Sequence, residues 1–203
     1  RNIHKKYLDG ENLTREDVQA IVEDTFYLPY ANSKMEQNML ESAKKSVDMY
    51  FEKNKADFKN IEMAEADIEL DMGDGVKVNG RIDLVKHREI SGEEKITIVD
   101  FKTADRDVTQ CLEAEQLKIY ALGYKELTGK SADYLEILNL DKVESERVRV
   151  TEGLTETVAK DIRNAAQNIR ENKLDRKCSK EKCSACYLNY LCLSKEEKKT
   201  YVE

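Results

Sequence analysis

The chain has 203 residues, 40% hydrophobic and 37% charged, a balance that predicts a folded protein and excludes a disordered one. Its net charge of −7 argues against a surface coated with phosphate-binding side chains but allows a local basic groove. No apolar run of about 18 residues and no signal peptide is present, so we expect a soluble, cytoplasmic protein without membrane contact. Because the chain begins at Arg1 rather than Met, we expect it to be part of a longer protein.

The first 60 residues have a helical pattern. Thr14 is a candidate N-cap, since an acidic first turn and apolar residues at helical spacing follow it. Pro29 interrupts the pattern, and a second helix is predicted from about 33 to 54. Its apolar stripe, which we expect to pack on the following sheet, consists of Met35, Met39, Leu40, Ala43, Val47, Tyr50 and Phe51.

The period changes to that of strands between about 61 and 101. Strand segments predicted at 61–70 and 76–78 flank the turn sequence Gly73-Asp74-Gly75, and a second hairpin joins 81–85 to 96–99 through a turn at 91–94. This arrangement predicts that Asp83 and Asp100 lie on neighbouring antiparallel strands.

Helices and strands then alternate. A helix is predicted from about 109 to 128 with Gly129 as its C-cap, and strands are predicted at 134–140 and, more weakly, at 146–150. A polar helix from about 155 to 171 leads into a cysteine-rich tail.

The order of these elements predicts an α/β fold built as a single domain, 1–203. We expect a helical segment at 1–60, a catalytic sheet core at 61–150, and a helix with a cysteine cluster at 151–203.

Two carboxylates and a lysine form the chemically informative pattern. Asp100 and Lys102 are two residues apart on one strand, so both project from the same face, and Asp83 is expected on the next strand. Paired carboxylates hold hard divalent cations, and a nearby ammonium can orient a water or stabilise a phosphorane-like transition state. These are the parts that a metal-dependent phosphodiesterase needs.

The same residues resemble a known family. Gly80-Arg81-Ile82-Asp83 and Val99-Asp100-Phe101-Lys102-Thr103 are similar to the two halves of the PD-(D/E)XK nuclease signature. Gln116 and Tyr120, one helical turn apart, and His4 near the start resemble the further motifs of its RecB-type branch. The resemblance covers nearly the whole chain and implies a restriction-endonuclease-like core, with a mixed central sheet flanked by helices.

The resemblance also implies roles for individual residues. His4, Asp83, Asp100 and the backbone carbonyl of Phe101 would bind Mg²⁺ or Mn²⁺, and Lys102 would be the catalytic lysine. Gln116 would orient that lysine or the DNA, and Tyr120 would contact the substrate or buttress the site. Glu65 resembles an acidic position that this branch often has near its metals.

Each residue has a structural alternative. His4 could be an exposed helix residue, Asp83 a bulge or turn residue, and Gln116 with Tyr120 the polar edge of an amphipathic helix. All of these alternatives would have to hold together, so the nuclease interpretation is favoured.

Four cysteines crowd the C-terminal tail, at Cys178, Cys183, Cys186 and Cys192. Such close spacing lets four thiolates converge on one metal centre. It indicates a metal site in a reducing compartment rather than a framework of disulfide bonds. The last three resemble the C-terminal cysteines of RecB-type nucleases with a [4Fe–4S] cluster, which we favour over Zn²⁺ and over free thiols. Cys111 stands apart and is expected to be a buried apolar residue.

The sequence therefore predicts a metal-dependent deoxyribonuclease, acting as an exonuclease in DNA end processing, repair or recombination. It would work within a helicase–nuclease or as a stand-alone exonuclease of the CRISPR-associated kind. The alternatives are a catalytically inactive DNA-binding scaffold of the same fold and a zinc-ribbon adaptor, which explains only the tail. Strand preference, polarity, exo- or endonuclease action and oligomeric state are left open.

Overall fold

A computed structural model describes residues 2–103, 115–173, 175–176, 178–184 and 186–202. The chain divides into two compact units, Arg1–Arg163 and Asn164–Glu203. None of the helices within the described ranges is long and apolar enough to span a membrane.

Three helices open the first unit: α1 (Asn2–Leu8), α2 (Arg15–Thr25) and α3 (Ser33–Asn54), followed by a 3-10 turn at Lys55–Asn60. Thr14 caps α2 in a capping box with Asp17, and Asn32 caps α3 by accepting a hydrogen bond from the Met35 amide. These caps satisfy backbone donors that the helix itself leaves free. The predicted starts of α2 and α3 are therefore confirmed.

A five-stranded mixed sheet follows, in the order β1-β2-β3-β4-β5. Its strands are β1 (Ile61–Asp71), β2 (Lys77–Ile90), β3 (Glu93–Lys102), β4 (Tyr134–Asn139) and β5 (Glu144–Arg149). All neighbours pair antiparallel except β3 and β4, which are parallel. The predicted mixed sheet is confirmed, although the segments predicted at 76–78 and 81–85 belong to one continuous strand, β2.

Helix α4 (Glu115–Thr128) connects the parallel strands and packs on one sheet face. Gly123 permits this contact, because a Cβ at this position would lie 2.4 Å from Ile68 Cδ1. The predicted beginning of this helix, and Cys111, lie outside the described residues.

The opposite face of the sheet packs on α1, α2 and α3. Only the last turns of α3 contribute buried residues, Tyr50 and Phe51, whereas Met35 and Met39 near its start are 53% and 47% exposed. The prediction that the whole stripe packs on the sheet is therefore wrong for its first half.

Helix α5 (Leu154–Arg170) begins in the first unit, where Val158 is buried beside Leu70 and Leu122. The second unit contains three short helices, α6 (Lys180–Ser184), α7 (Asn189–Cys192) and α8 (Lys195–Tyr201). Ser194 caps α8, and Arg176 binds Glu197 of this helix at 3.0 Å.

Candidate active site

The site begins where strands β2 and β3 separate. Their paired register reaches Leu84 and Val99, and beyond this pair the Asp83 carboxylate occupies the space between the strands. Its Oδ2 accepts a hydrogen bond from the Phe101 backbone N–H at 2.9 Å. Asp83, only 6% exposed, thus replaces the backbone acceptor that a regular ladder would supply.

A chain of polar contacts runs from Asp100 to α4. Lys102 Nζ lies 2.7 Å from Asp100 Oδ2 and 3.3 Å from Gln116 Oε1, to which it donates. The Gln116 amide nitrogen donates in turn to the Tyr120 hydroxyl at 2.6 Å. The structure therefore brings four of the predicted catalytic residues into one connected network, in which Lys102 lies between Asp100 and Gln116.

Gly80 fixes the distance between β2 and the Tyr120 ring. A Cβ at this position would lie 3.3 Å from both Tyr120 Cε1 and Ile68 Cγ1, closer than ordinary van der Waals contact. The ring of Tyr120 therefore rests directly on the glycine backbone. Through this contact, β2 determines how far the Tyr120 ring lies from the sheet, and with it the position of the hydrogen-bond network that ends at the Tyr120 hydroxyl.

Strands β1 and β2 change faces at the same place in the sheet. Alternate residues of a regular strand share one face, but the residues flanking Glu65 pack on opposite faces, as do those flanking Asp83. The flanking residues pair across the two strands, Ala64 with Leu84 and Ala66 with Ile82. The two irregularities thus lie side by side and re-aim both acidic residues.

Glu65 adopts this position at an energetic cost. Its φ of +53° lies in the left-handed region, which a non-glycine residue occupies at roughly 1–3 kcal/mol. Its buried carboxylate lies 3.9 Å from Arg81 Nη1, and Arg81 Nε donates to Asp67 at 2.6 Å. Strain of this kind persists where the surrounding structure determines the position of a side chain.

His4 is buried on the other side of β3, with 2% of its surface exposed. Its ring stacks on Phe101 at a centroid distance of 5.6 Å, and Nε2 lies 2.9 Å from the Tyr50 hydroxyl. Nδ1 has no hydrogen-bond partner in the described part of the chain. Burial lowers the pKa of His4 to about 3, so the ring is neutral at physiological pH. The alternative of an exposed helix histidine is wrong.

An open cleft collects most of the predicted residues. It is lined, among others, by Arg81, Asp83, Asp100, Lys102, Gln116 and Tyr120, whereas His4 is not part of its lining. Within the residues that the structure describes, no three His, Cys, Asp or Glu side chains converge as a ready-made metal site. The available donors are two buried carboxylates, a carbonyl and the unpartnered imidazole nitrogen, a set that suits Mg²⁺ or Mn²⁺.

Sequence reasoning missed two residues of this region. Tyr50 contributes to the predicted apolar stripe, and no local pattern indicates its hydrogen bond to a histidine 46 residues away. Arg81 lies within a recognised motif, but only the structure shows that its guanidinium borders the cleft.

The tail cysteines differ in burial. Cys183 is buried, Cys178 is half-buried, and Cys186 and Cys192 are exposed, all four with free thiols. Burial, followed by a hydrogen bond with Cys183, raises the pKa of Cys178, so these two side chains are neighbours. The described part of the tail shows no convergence of three cysteines on one point.

Comparison with known proteins assigns the chain to a family. The crystal structure of SSO0001 superposes with a TM-score of 0.43 at 16% identity, covering 88% of this chain and 93% of its own. A protein from Eubacterium rectale, described as "Putative exonuclease", gives a TM-score of 0.48 at 11% identity and covers 93% of this chain and 79% of its own. No curated protein matches the sequence. The profile of the PD-(D/E)XK nuclease superfamily matches residues 2–193, and the chain belongs to this superfamily.

Proposed function

We propose that the chain is a metal-dependent deoxyribonuclease that hydrolyses phosphodiester bonds in its open cleft. The observation that carries this proposal is the network of Asp100, Lys102, Gln116 and Tyr120 beside the buried carboxylate of Asp83. A lysine held by a carboxylate and an amide is oriented rather than freely rotating, as catalysis by positioning requires.

The chain's own groups have separate roles in this reaction. His4, Asp83, Asp100 and the Phe101 carbonyl would hold Mg²⁺ or Mn²⁺, which when bound supplies an activated water and neutralises charge on the phosphate. Lys102 then stabilises the additional negative charge that develops on the phosphate in the transition state. Gln116 keeps the lysine directed at the cleft, and Tyr120 supports Gln116 from the helix.

Degradation of linear DNA with Mg²⁺ or Mn²⁺ tests this function. Lys102→Ala should reduce the rate by at least about 100-fold, the scale of losing one preorganised donor to the transition state. Asp100→Ala should do the same with an unchanged circular dichroism spectrum. Lys95→Ala is the matched control, because Lys95 lies on the same strand but pairs with Glu93 and Asp133. Full activity of Lys102→Ala would contradict the assignment.

The cellular role is proposed more narrowly as exonuclease action in DNA end processing, repair or recombination, with a helicase domain or subunit as partner. Support comes from the order of the motifs around His4, Asp83, Asp100 and Gln116, which resembles the RecB-type branch. An exonuclease should degrade linear DNA and leave a covalently closed circle intact. Cleavage of the circle at a similar rate would indicate an endonuclease.

For the tail, we propose that Cys178, Cys183, Cys186 and Cys192 hold a [4Fe–4S] cluster with a structural role. The proposal is supported by their spacing and by the contact between the first two thiols. Anaerobically purified protein should be brown, with visible absorption lost after each Cys→Ser exchange. A colourless protein with one bound Zn²⁺ would establish the alternative.

A further inference from the structure

The hydrogen bond between Tyr50 and His4 has a donor and an acceptor that can be assigned. From it we infer that Tyr50 is a positioning residue, which holds the His4 proton on Nε2 and so leaves Nδ1 as the nitrogen that binds the divalent cation. This inference rests on the proposed metal-dependent function, and it concerns a residue outside the lining of the cleft.

The His4 imidazole is held in one orientation. His4 is 2% exposed, and its ring lies edge-on to Phe58 at 5.1 Å and stacked on Phe101 at 5.6 Å. Rotation of the ring would push its edge into these neighbours, and close-packed interiors resist such displacement. Nε2 is therefore held at 2.9 Å from the Tyr50 hydroxyl, which belongs to a side chain that is itself 4% exposed.

The surroundings of the two ring nitrogens favour one position for the His4 proton. A neutral imidazole carries one N–H, on Nδ1 or on Nε2. If the Tyr50 hydroxyl donated to Nε2, the His4 proton would lie on Nδ1, which has no partner among the described residues. A buried donor without an acceptor costs about 1–3 kcal/mol. If Nε2–H donates to the Tyr50 oxygen instead, the hydrogen left to place is that of the hydroxyl, which can rotate about its C–O bond toward an acceptor, whereas a ring N–H cannot, and Nδ1 presents a lone pair.

The Tyr50 hydroxyl oxygen can accept that proton, because it carries lone pairs beside its own hydrogen and lies 2.9 Å from Nε2. A metal-binding histidine commonly donates its second N–H to a carboxylate, a carbonyl or water, which fixes the tautomer. The Tyr50 oxygen takes that place here.

Phe101 links the His4 ring to the two carboxylates. The His4 ring stacks on Phe101, which follows Asp100 directly in the chain. The Phe101 N–H binds the Asp83 carboxylate, so a single residue contacts two of the proposed ligands. The unpartnered nitrogen thus belongs to a ring that lies against Phe101 of β3, the residue that follows Asp100 and is hydrogen-bonded to Asp83 of β2.

Two measurements on the whole chain test the inference. Imidazole ¹⁵N NMR of metal-free protein is practical because the chain has only two histidines, and a His87→Gln variant assigns the signals. His4 should show a pyrrole-type Nε2 and a pyridine-type Nδ1. Mn²⁺ affinity, followed by electron paramagnetic resonance, should fall about 10- to 100-fold in Tyr50→Phe, the usual effect of losing such a partner.

Tyr124→Phe is the matched control. Tyr124 is also a buried tyrosine whose hydroxyl is hydrogen-bonded, but to Glu62 on β1 at 2.9 Å, and its removal should leave Mn²⁺ affinity unchanged. A pyrrole-type Nδ1 in the unsubstituted protein would overturn the inference even if Tyr50→Phe failed to fold. Equal Mn²⁺ affinity of Tyr50→Phe and the unsubstituted chain would also overturn it. Absence of DNA hydrolysis with the expected tautomer and affinities would count against the proposed function alone.

Discussion

Two substitutions of Asp83 should separate its structural role from its proposed role as a metal ligand. Asp83→Asn removes the negative charge but retains a side-chain oxygen that can accept the Phe101 N–H. Asp83→Ala removes both. We therefore expect neither variant to hydrolyse DNA, and only the alanine variant to lose substantial stability.

The size of the difference follows from the burial of this hydrogen bond. Asp83 is 6% exposed and its Oδ2 lies 2.9 Å from the Phe101 nitrogen, so alanine leaves a buried N–H without an acceptor. That loss costs about 1–3 kcal/mol. In a protein of this size, each kcal/mol lowers the melting temperature by about 2–4 °C.

Urea unfolding followed by circular dichroism, without added metal, measures the difference in the free energy of unfolding between the two variants. The metal-free condition matters because bound cation would itself stabilise the folded state. Equal stability of Asp83→Ala and Asp83→Asn would refute the claim that this carboxylate replaces a backbone acceptor in the sheet.

Three further predictions concern α4. Gln116→Leu removes the amide that joins Lys102 to the Tyr120 hydroxyl. Because one oriented hydrogen bond is lost, kcat should fall about 10-fold, while the midpoint of urea unfolding should stay within experimental error. Gly123→Ala should destabilise the fold by about 1–3 kcal/mol through overlap with Ile68, and adding Ile68→Val should recover part of this loss in a double-mutant cycle. Burial raises the pKa of Tyr124 to about 12, so the folded state binds more protons than the unfolded state between about pH 10 and pH 12. The free energy of unfolding should therefore fall as the pH rises through this window, by at most about 1.4 kcal/mol per pH unit. Tyr124→Phe should show a shallower decline over the same range in urea titrations, and identical slopes would contradict the assignment.

Much of this fold follows from local patterns. Thr14 predicts the start of α2 because its hydroxyl and the Asp17 carboxylate satisfy the first amides of the helix. The shared face of Asp100 and Lys102 follows from strand alternation, and the contact between Gln116 and Tyr120 from the helical repeat.

The features that escaped prediction depend on contacts distant in sequence or on unusual backbone. The change of faces at Glu65 requires a positive φ at a residue that normally avoids it, and nothing in the surrounding sequence signals this. The partner of His4 comes from α3, across 46 residues. The exposure of Met35 depends on how far α3 extends beyond the elements it packs on, which its regular apolar stripe does not reveal.

The contact between Gly80 and Tyr120 bears on how this site can vary among related chains. A Cβ at position 80 would lie 3.3 Å from the Tyr120 ring, so a side chain there requires the ring to move by a few tenths of an ångström. Mutational drift at one position is therefore constrained by the other, although 40 residues of chain separate them. We expect the two positions to covary, with larger residues at 80 accompanied by smaller ones at 120 and by loss of the hydroxyl that supports Gln116.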